Sequence, residues 1–327
     1  MEQIRILSVL PLEQRHKDYL EKQAQGGKAE CVFTYRSYES VTPEDVRNAD
    51  VLLGNVSPAI IRKAREEGAD LKWVQLNSAG ADAYAPADVL GADTILTCSS
   101  GAYGVSVAEH MLAMTMALIR RFGQYGRQQV NHEWKVAGSV TSIEESTVLV
   151  LGLGDIGGRY ARMCHALGAS VIGVRRTLHG EKPEYLAQQH TIDELDELLP
   201  RADIVAMVLP GGDATRHIMD ERRMRLMKKG AYLINDGRGN AIDPAGLKAV
   251  LKDGHLGGAG LDVTEPEPLP ADDELWDMDN VIITPHIAGQ FLLASTYEKI
   301  VKIAGENLHA YVTGGELRHV VNRRAGY

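Results

Sequence analysis

The sequence has few cysteines, no long apolar run and no repeated or low-complexity segment. Its three cysteines, Cys31, Cys98 and Cys164, form no CxxC pair. Neither a disulfide framework nor a metal site is therefore indicated, and a reducing, cytoplasmic setting is expected. No stretch approaches the roughly 18 apolar residues of a membrane span. The beginning of the chain lacks the cationic and apolar regions of a secretory signal, so export is not expected.

An excess of positive charge is also missing. The formal net charge is -9 and the isoelectric point is about 5.7, whereas a nucleic-acid or anionic-membrane surface needs a basic face. Such partners are not expected, although a few arginines in a cleft suffice to bind a small anion. With 327 residues, 44% of them apolar, the chain is long enough for two domains with substantial cores.

Short apolar segments alternate with helix-like segments along the chain. The first series has strand candidates in "IRILSVL", "CVFTYR", "DVLLG", "KWVQL" and "TILTC". The second series has them in "STVLVLGLG", "SVIGV", "ADIVAMVLP", "GAYLINDG", "LGGAGLDV" and "NVIITPH". The alternation predicts an α/β protein with parallel sheets and helices on both faces. Six parallel strands with crossovers are typical of a complete dinucleotide-binding sheet.

Two longer segments carry helical patterns. Residues 104–130 are rich in Met, Leu and Ala and contain few breakers. They predict one long helix, packed either between two domains or in the core of one. Residues 295–314 are amphipathic, and this final helix could return to the first domain.

A glycine-rich turn follows the first strand of the second series. In "GLGDIG", Gly152, Gly154 and Gly157 form G-x-G-x-x-G around Asp155 and Ile156, directly before a helical pattern. The first glycine allows the tight turn, the second admits a diphosphate to the backbone, and the third allows close helix–strand packing. The motif in this context predicts a dinucleotide site at the helix N-terminus.

The next strand ends in a pair of arginines. An NAD site usually has Asp or Glu about 20 residues after the glycines, to bind the ribose 2′-hydroxyl. Here "VIGVRRT" has Arg175 and Arg176 and no carboxylate. A guanidinium matches a 2′-phosphate in charge and geometry, so NADP(H) is favoured and NAD(H) is the alternative. A solvent-exposed or adenine-stacking arginine would fit the same sequence.

Polar side chains of three kinds follow three later strands. Arg238 lies in "NDGRG", Glu265 and Glu267 lie in "LDVTEPEP", and His286 lies in "TPHIAG". Because the carboxyl ends of parallel strands meet at one edge of a sheet, an arginine, a glutamate and a histidine are expected to converge. Such a set could bind a 2-keto acid, donate a proton to its carbonyl oxygen and stabilise the imidazolium. Spacing alone does not choose between the two glutamates.

These motifs resemble, over essentially the whole chain, the D-isomer-specific 2-hydroxyacid dehydrogenase family, in particular glyoxylate/hydroxypyruvate reductases. They are "LNSAGAD", "GLGDIG", "LPGGDAT", "NDGRG", "LDVTEPEP" and "TPHIAG", in this order. The resemblance implies two Rossmann-like or flavodoxin-like domains with the active site in the cleft between them. It implies a discontinuous substrate domain, residues 1–103 with 291–327, and a dinucleotide domain, residues 104–290. A homodimer formed through the dinucleotide domain is also implied.

The same resemblance assigns catalytic roles. It makes Arg238 the substrate-binding arginine, Glu267 the partner carboxylate and His286 the acid/base. It implies further contacts to the substrate carboxylate from the backbone of three consecutive residues, Ser78, Ala79 and Gly80.

For the cofactor, the resemblance implies additional contacts beyond the glycine-rich turn. Asp262 and the backbone near Gly237 would hold the nicotinamide carboxamide, while Pro210 and Thr215 would line the cofactor cleft.

Two residues depart from the family pattern. Asp236 is acidic where an uncharged residue is expected, and Tyr103 replaces an aliphatic residue that often faces the substrate. Tyr103 could set the size of the substrate or donate a hydrogen bond to it, or could be a buried tyrosine with a structural partner. We interpret three further residues, His110, Cys164 and His165, as structural, since no partner is apparent in the sequence.

The function that these features favour is hydride transfer from NADPH to a small 2-keto acid, giving the D-2-hydroxy acid. D-3-phosphoglycerate dehydrogenase is an alternative, against which the lack of an acidic residue near Arg175 counts. A nucleotide-sensing protein, like the co-repressors of this family, is an alternative of a different class. The identity of the 2-hydroxy acid does not follow from the sequence.

Overall fold

The computed structural model describes residues 3–178 and 180–323. The chain divides into two compact units, one formed by Met1–Tyr103 with Leu293–Tyr327 and the other by Gly104–Leu292. No helix of the described residues is long and apolar enough to cross a membrane.

The first unit contains a five-stranded parallel sheet. Its strands are β1 (Gln3–Ser8), β2 (Glu30–Tyr35), β3 (Val51–Leu53), β4 (Trp73–Gln75) and β5 (Ile95–Thr97), in the order β2-β1-β3-β4-β5. The helices of this unit are α1 (Gln14–Gln23), α2 (Pro43–Arg47), α3 (Pro58–Glu66) and, from the end of the chain, α10 (Ala294–Thr313). Helix α10 packs against α1, so the last amphipathic segment does return to the first unit.

The second unit begins with two helices, α4 (Gly104–Ile119) and α5 (Phe122–Val130). The single helix expected over residues 104–130 is therefore wrong. The apolar pattern stops at Ile119, and Arg121 adopts a left-handed conformation with φ 59°. Its Nε donates to the Ser139 carbonyl oxygen over 2.6 Å. Arg121 is the N-cap residue of α5, so the break separates the two helices.

The sheet of the second unit has seven parallel strands. They are β6 (Thr147–Leu151), β7 (Ser170–Arg175), β8 (Gln188–Thr191), β9 (Ile204–Met207), β10 (Tyr232–Asn235), β11 (Gly258–Leu261) and β12 (Val281–Ile283). Their order is β12-β11-β10-β9-β6-β7-β8, a Rossmann order extended by one strand. Sequence reasoning predicted six of them and missed β8, because this edge strand is polar and only half-buried.

Helices cover both faces of this sheet, as predicted. The remaining helices are α6 (Asp155–Ala166), α7 (Leu195–Leu198), α8 (Glu221–Leu226) and α9 (Pro244–Lys252). On one face, Gly258 and Gly260 of β11 admit the side chain of Leu118 of α4. On the other face, Ala259 and Leu261 join a core with residues of α9. The small residues of β11 thus set how closely α4 approaches the sheet.

Candidate active site

The glycine-rich turn joins β6 to α6. Gly152 has φ +99°, and a Cβ there would lie 2.5 Å from the Val208 carbonyl oxygen. A Cβ at Gly157 would overlap the carbonyl oxygen of Gly152. Glycine is therefore required at both positions, one for its backbone conformation and the other for close packing.

Gly154 occupies the N-cap position of α6. A Cβ at Gly154 would meet no atom within 4 Å, so the space next to the helix N-terminus is open. The first N–H groups of a helix have no partner within the helix and carry a positive partial charge. This cradle fits the diphosphate of a dinucleotide, and a side chain larger than hydrogen would fill it.

The two residues after Gly154 form the first turn of α6. The Asp155 carboxylate accepts a hydrogen bond from Arg159 Nε over 2.8 Å and lies where a Cβ of Gly104 would be. The side chain of Asp155 is thus paired with Arg159. The backbone of Asp155 and Ile156 forms the first turn of α6, next to the cradle.

Two further segments border the carboxyl ends of the strands. Arg175 is the last residue of β7, and Arg176 follows it. After β9, Thr215 Oγ1 donates to the Pro210 carbonyl oxygen over 2.8 Å and closes the loop. Gly237 approaches this loop so closely that its Cβ would lie 2.8 Å from the backbone nitrogen of Leu209.

The three strands that precede the expected catalytic residues are neighbours in the sheet, in the order β12-β11-β10. Arg238 comes three residues after the end of β10, and its Nη1 donates to the Gly237 carbonyl oxygen over 2.9 Å. His286 Nδ1 lies 2.5 Å from Glu267 Oε1. Both side chains remain accessible, at 47% and 42% exposure.

The second glutamate of this loop makes a different pair. His217 Nε2 lies 2.5 Å from Glu265 Oε2, and Arg216 Nη1 lies 2.7 Å from Glu265 Oε1. These hydrogen bonds, the one from His217 first, lower the pKa of the Glu265 carboxyl. The structure therefore pairs Glu267, and not Glu265, with His286. Neither Arg216 nor His217 was identified from the sequence, because no local pattern links them to a loop almost 50 residues away.

The loop that carries His286 is held by Asp262. The carboxylate of Asp262 accepts from Thr284 Oγ1 over 2.6 Å and from the backbone of Ile287 and Ala288 over 2.9 and 3.1 Å. Its carbonyl oxygen accepts from the backbone of His286 over 2.8 Å. Asp262 is 3% exposed, so it anchors this loop in addition to any contact with a cofactor.

His110 has a partner that the sequence did not reveal, in keeping with its interpretation as a structural residue. Its Nε2 lies 2.9 Å from Thr284 Oγ1 and 3.7 Å from Asp262 Oδ1. It is thus a third side chain supporting the loop of His286.

Asp236 is buried next to this cluster. Neither of its carboxylate oxygens has a hydrogen-bond partner. Burial, with the negative charge of Asp262 as a second cause, raises the pKa of Asp236 well above its usual range. Burial thus favours the uncharged form of the Asp236 carboxyl, two residues before Arg238.

In the first unit, residues 77–80 form a hydrogen-bonded loop after β4. Asn55 and Asn77 exchange backbone-to-side-chain hydrogen bonds of 2.7 and 3.0 Å, and Asn55 Nδ2 donates to Ser78 Oγ over 3.0 Å. Ser78 Oγ donates to the Gly80 carbonyl oxygen over 2.7 Å. Ala79 lies between them and is half-buried.

Tyr103 is 7% exposed and fixes the same loop. Its hydroxyl donates to the Asn77 carbonyl oxygen. The one proton of this hydroxyl is therefore used inside the protein, which supports the structural interpretation of Tyr103. Tyr38, which sequence reasoning did not identify, also contacts the loop, since its hydroxyl donates to Asn77 Oδ1 over 3.2 Å.

Within residues 3–178 and 180–323, no group of three or more His, Cys, Asp or Glu side chains could hold a metal ion.

Comparison with known proteins identifies the family. The sequence profile of the NAD-binding domain of D-isomer-specific 2-hydroxyacid dehydrogenases matches residues 112–288. Glyoxylate/hydroxypyruvate reductase B of Erwinia tasmaniensis is 31% identical over 86% of this chain and 88% of its own length. D-3-phosphoglycerate dehydrogenase of Methanocaldococcus jannaschii is 30% identical over 97% of this chain, which spans 60% of that protein.

A solved structure agrees with these matches. The D-isomer-specific 2-hydroxyacid dehydrogenase of Xanthobacter autotrophicus Py2, in complex with NADPH and MES, is similar with a TM-score of 0.80 and 27% identity, and the match covers 100% of both chains. The cradle, the strand order and these likenesses lead to one conclusion. The chain belongs to the D-isomer-specific 2-hydroxyacid dehydrogenase family and is an NAD(P)-dependent oxidoreductase.

Proposed function

We propose that the protein is an NADPH-preferring reductase of a small 2-keto acid, such as glyoxylate or hydroxypyruvate, which it converts to the D-2-hydroxy acid. The observation that carries this proposal is the contact of 2.5 Å between His286 Nδ1 and Glu267 Oε1. An accessible imidazole oriented by a carboxylate is the arrangement of a general acid. The name of the Erwinia tasmaniensis relative supports the substrate class.

In this mechanism, Arg238 binds the carboxylate and the carbonyl oxygen of the keto acid through charge-assisted hydrogen bonds. The backbone N–H groups of Ser78, Ala79 and Gly80 bind the same carboxylate. Because Nδ1 of His286 faces Glu267, Nε2 is the nitrogen that donates a proton to the carbonyl oxygen. When bound, the reduced dinucleotide supplies the hydride.

The dinucleotide is held by four groups of residues in this proposal. The cradle of Gly152, Gly154 and Gly157 binds the diphosphate. Pro210 and Thr215 line the cleft, and Gly237 and Asp262 face the nicotinamide end. Arg175 and Arg176 bind the 2′-phosphate.

The reaction is tested with a panel of 2-keto acids that includes glyoxylate, hydroxypyruvate, pyruvate, phenylpyruvate and 3-phosphohydroxypyruvate. Consumption of NADPH with an unphosphorylated keto acid supports the proposal, and chiral analysis of the product must show the D isomer. Turnover confined to 3-phosphohydroxypyruvate would instead favour D-3-phosphoglycerate dehydrogenase, a candidate that the Methanocaldococcus jannaschii relative supports.

Preference for NADPH is tested by replacing Arg175 with Asp and Arg176 with Ala. A hydrogen bond to a charged group is worth about 1.5–3 kcal/mol, so the kcat/KM ratio of NADPH to NADH should fall by roughly ten- to a hundredfold. Arg201→Asp is the control, since Arg201 belongs to the same unit but contacts Gln188. An unchanged ratio in the double variant would mean that other residues bind the 2′-phosphate.

We also propose that the protein is a homodimer. Around α5 and the segment after it, Phe122, Val130 and Val136 are mostly exposed and Trp134 is fully exposed. Apolar side chains concentrated in this way are typical of a protein interface, and a second copy of the chain would cover them. Analytical ultracentrifugation should give a dimer, and Trp134→Ser should weaken it. The cytoplasmic location remains a prediction from the scarcity of cysteine.

A further inference from the structure

Glu265 and Glu267 lie two residues apart but contact different histidines. Glu265 contacts Arg216 and His217 at 2.7 and 2.5 Å. Glu267 contacts His286 at 2.5 Å. One short segment therefore joins the proposed acid–base pair to a second cluster, formed by Arg216, His217 and Glu265, to which the mechanism gives no role. We call this second cluster the clamp.

Backbone hydrogen bonds fix the two residues of the clamp that contact Glu265. The backbone nitrogen of His217 donates to the Asn240 carbonyl oxygen over 2.8 Å, and that of Arg216 donates to the Gly212 carbonyl oxygen over 3.1 Å. His217 also has φ 47°, a left-handed conformation that is uncommon for a residue with a side chain and is retained where the surroundings impose it.

The segment after Arg238 also packs against the clamp. A Cβ at Gly239 would overlap the carbonyl oxygen of Thr264, so the chain at Gly239 packs directly against the residue that precedes Glu265. Through Asn240, the same segment accepts the hydrogen bond from His217. The clamp thus lies between the segment of Arg238 and the segment of Glu267.

We propose that Arg216 and His217 are positioning residues: by holding Glu265, they place Glu267 against His286. This inference rests on the proposed function and adds to it. Glu267 lies between Pro266 and Pro268, whose rings fix φ and restrict the residue before each of them. With Glu265 held, little freedom remains for Glu267. The lowered pKa of the Glu265 carboxyl keeps it charged, as the clamp requires.

The variant Glu265→Gln removes the charge that the clamp holds and leaves Glu267 and His286 in place. We expect kcat to fall about three- to tenfold while KM for the keto acid changes less than twofold, because Arg238 still binds the substrate. Arg216→Lys, which keeps the charge, should recover much of kcat, whereas Arg216→Ala should not.

A matched control exists in the same unit. His190 Nδ1 lies 2.7 Å from Glu194 Oε2, and this third His–Glu pair of the unit shares no residue with the clamp. Glu194→Gln should leave kcat and KM unchanged.

A measurement without turnover completes the test. In the cofactor-free protein, the Nδ1–H proton of His286 should give a downfield NMR resonance because it donates to a carboxylate, assigned through its loss in His286→Gln. We expect Glu265→Gln to broaden it or move it upfield, and Glu194→Gln to leave it unchanged. If Glu265→Gln does not fold, His217→Gln gives the same comparison.

The two proposals can fail separately. An unchanged resonance and an unchanged kcat in folded Glu265→Gln would overturn the clamp and leave the reaction intact. Absence of turnover with every keto acid, together with the expected change of the resonance, would instead overturn the proposed reaction and keep the positioning role. A loss of thermal stability without change in the resonance would reduce the clamp to a purely structural contact.

Discussion

The second unit contains two His–Glu pairs that are almost alike in geometry. His286–Glu267 and His217–Glu265 both have a nitrogen–oxygen distance of 2.5 Å. Both histidines have a left-handed backbone, with φ 52° and 47°. The distance between imidazole and carboxylate therefore does not distinguish the pair proposed as catalytic from the pair proposed to position it.

The surroundings distinguish them. Glu265 has a second cationic partner in Arg216, and its side chain is 25% exposed, against 42% for Glu267. Asp262 holds the backbone of the loop that carries His286. The imidazole ring of His286 remains accessible. The pair proposed as the general acid and its partner thus combines a supported backbone with an accessible ring, whereas the pair that an arginine closes is suited to fixing a loop.

The two pairs are expected to differ most in the loss of kcat that follows removal of each imidazole. His286→Ala should lower kcat by about 10²–10⁴-fold, the usual contribution of a general acid, while NADPH affinity stays near that of the parent. His217→Ala should lower kcat by about tenfold or less, since it acts only through position. Steady-state kinetics and NADPH fluorescence titration measure both. Near-normal turnover in His286→Ala would remove this residue from the mechanism.

A smaller difference in kcat is expected between variants of the two glutamates. Glu267→Gln removes the charge that stabilises the imidazolium and should lower kcat by roughly 10–100-fold. This exceeds the loss expected for Glu265→Gln. Equal kcat values for the two variants would mean that the pairs do not differ in role.

Asp236 contrasts with the two paired glutamates, because neither of its carboxylate oxygens has a hydrogen-bond partner. Its folded-state pKa is raised, so between the usual aspartate pKa and the folded-state pKa the unfolded chain ionises while the folded chain keeps its proton. Its contribution to stability is thus present at acid pH and lost as pH rises. Asp236→Asn should increase the free energy of unfolding at neutral pH, and the gain should shrink toward acid pH. Parallel curves of stability against pH for parent and variant would contradict this.

The smallest effect is expected for the stability contributed by Glu265, whose folded-state pKa is lowered. Its contribution is present above the usual glutamate pKa and is lost as pH falls through the folded-state value. Glu265→Gln should therefore cost about 0.5 kcal/mol at neutral pH, as for exposed ion pairs. Chemical denaturation at several pH values should show this cost disappearing in acid. A cost that persists there would have another origin than charge.

The sequence by itself determined the features that depend on neighbouring residues. The alternation of strands and helices predicted two parallel α/β sheets, and Gly152, Gly154 and Gly157 predicted the cradle at α6. These patterns are readable because backbone conformation and hydrophobic periodicity are local properties. Two features departed from these predictions: β8 is a polar edge strand, and the left-handed backbone of Arg121 divides the helix expected over residues 104–130.

Tertiary structure decided what depends on chain segments far apart. Spacing along the sequence could not show which glutamate, Glu265 or Glu267, contacts His286. Both lie in one short loop, and their partners depend on where the fold places His217 and His286. The partner of His110, the hydrogen bond from Tyr103 and the raised pKa of Asp236 were likewise decided by packing. A side chain's partner and its desolvation are set by the atoms that the fold brings around it, and no local pattern of residues contains that information.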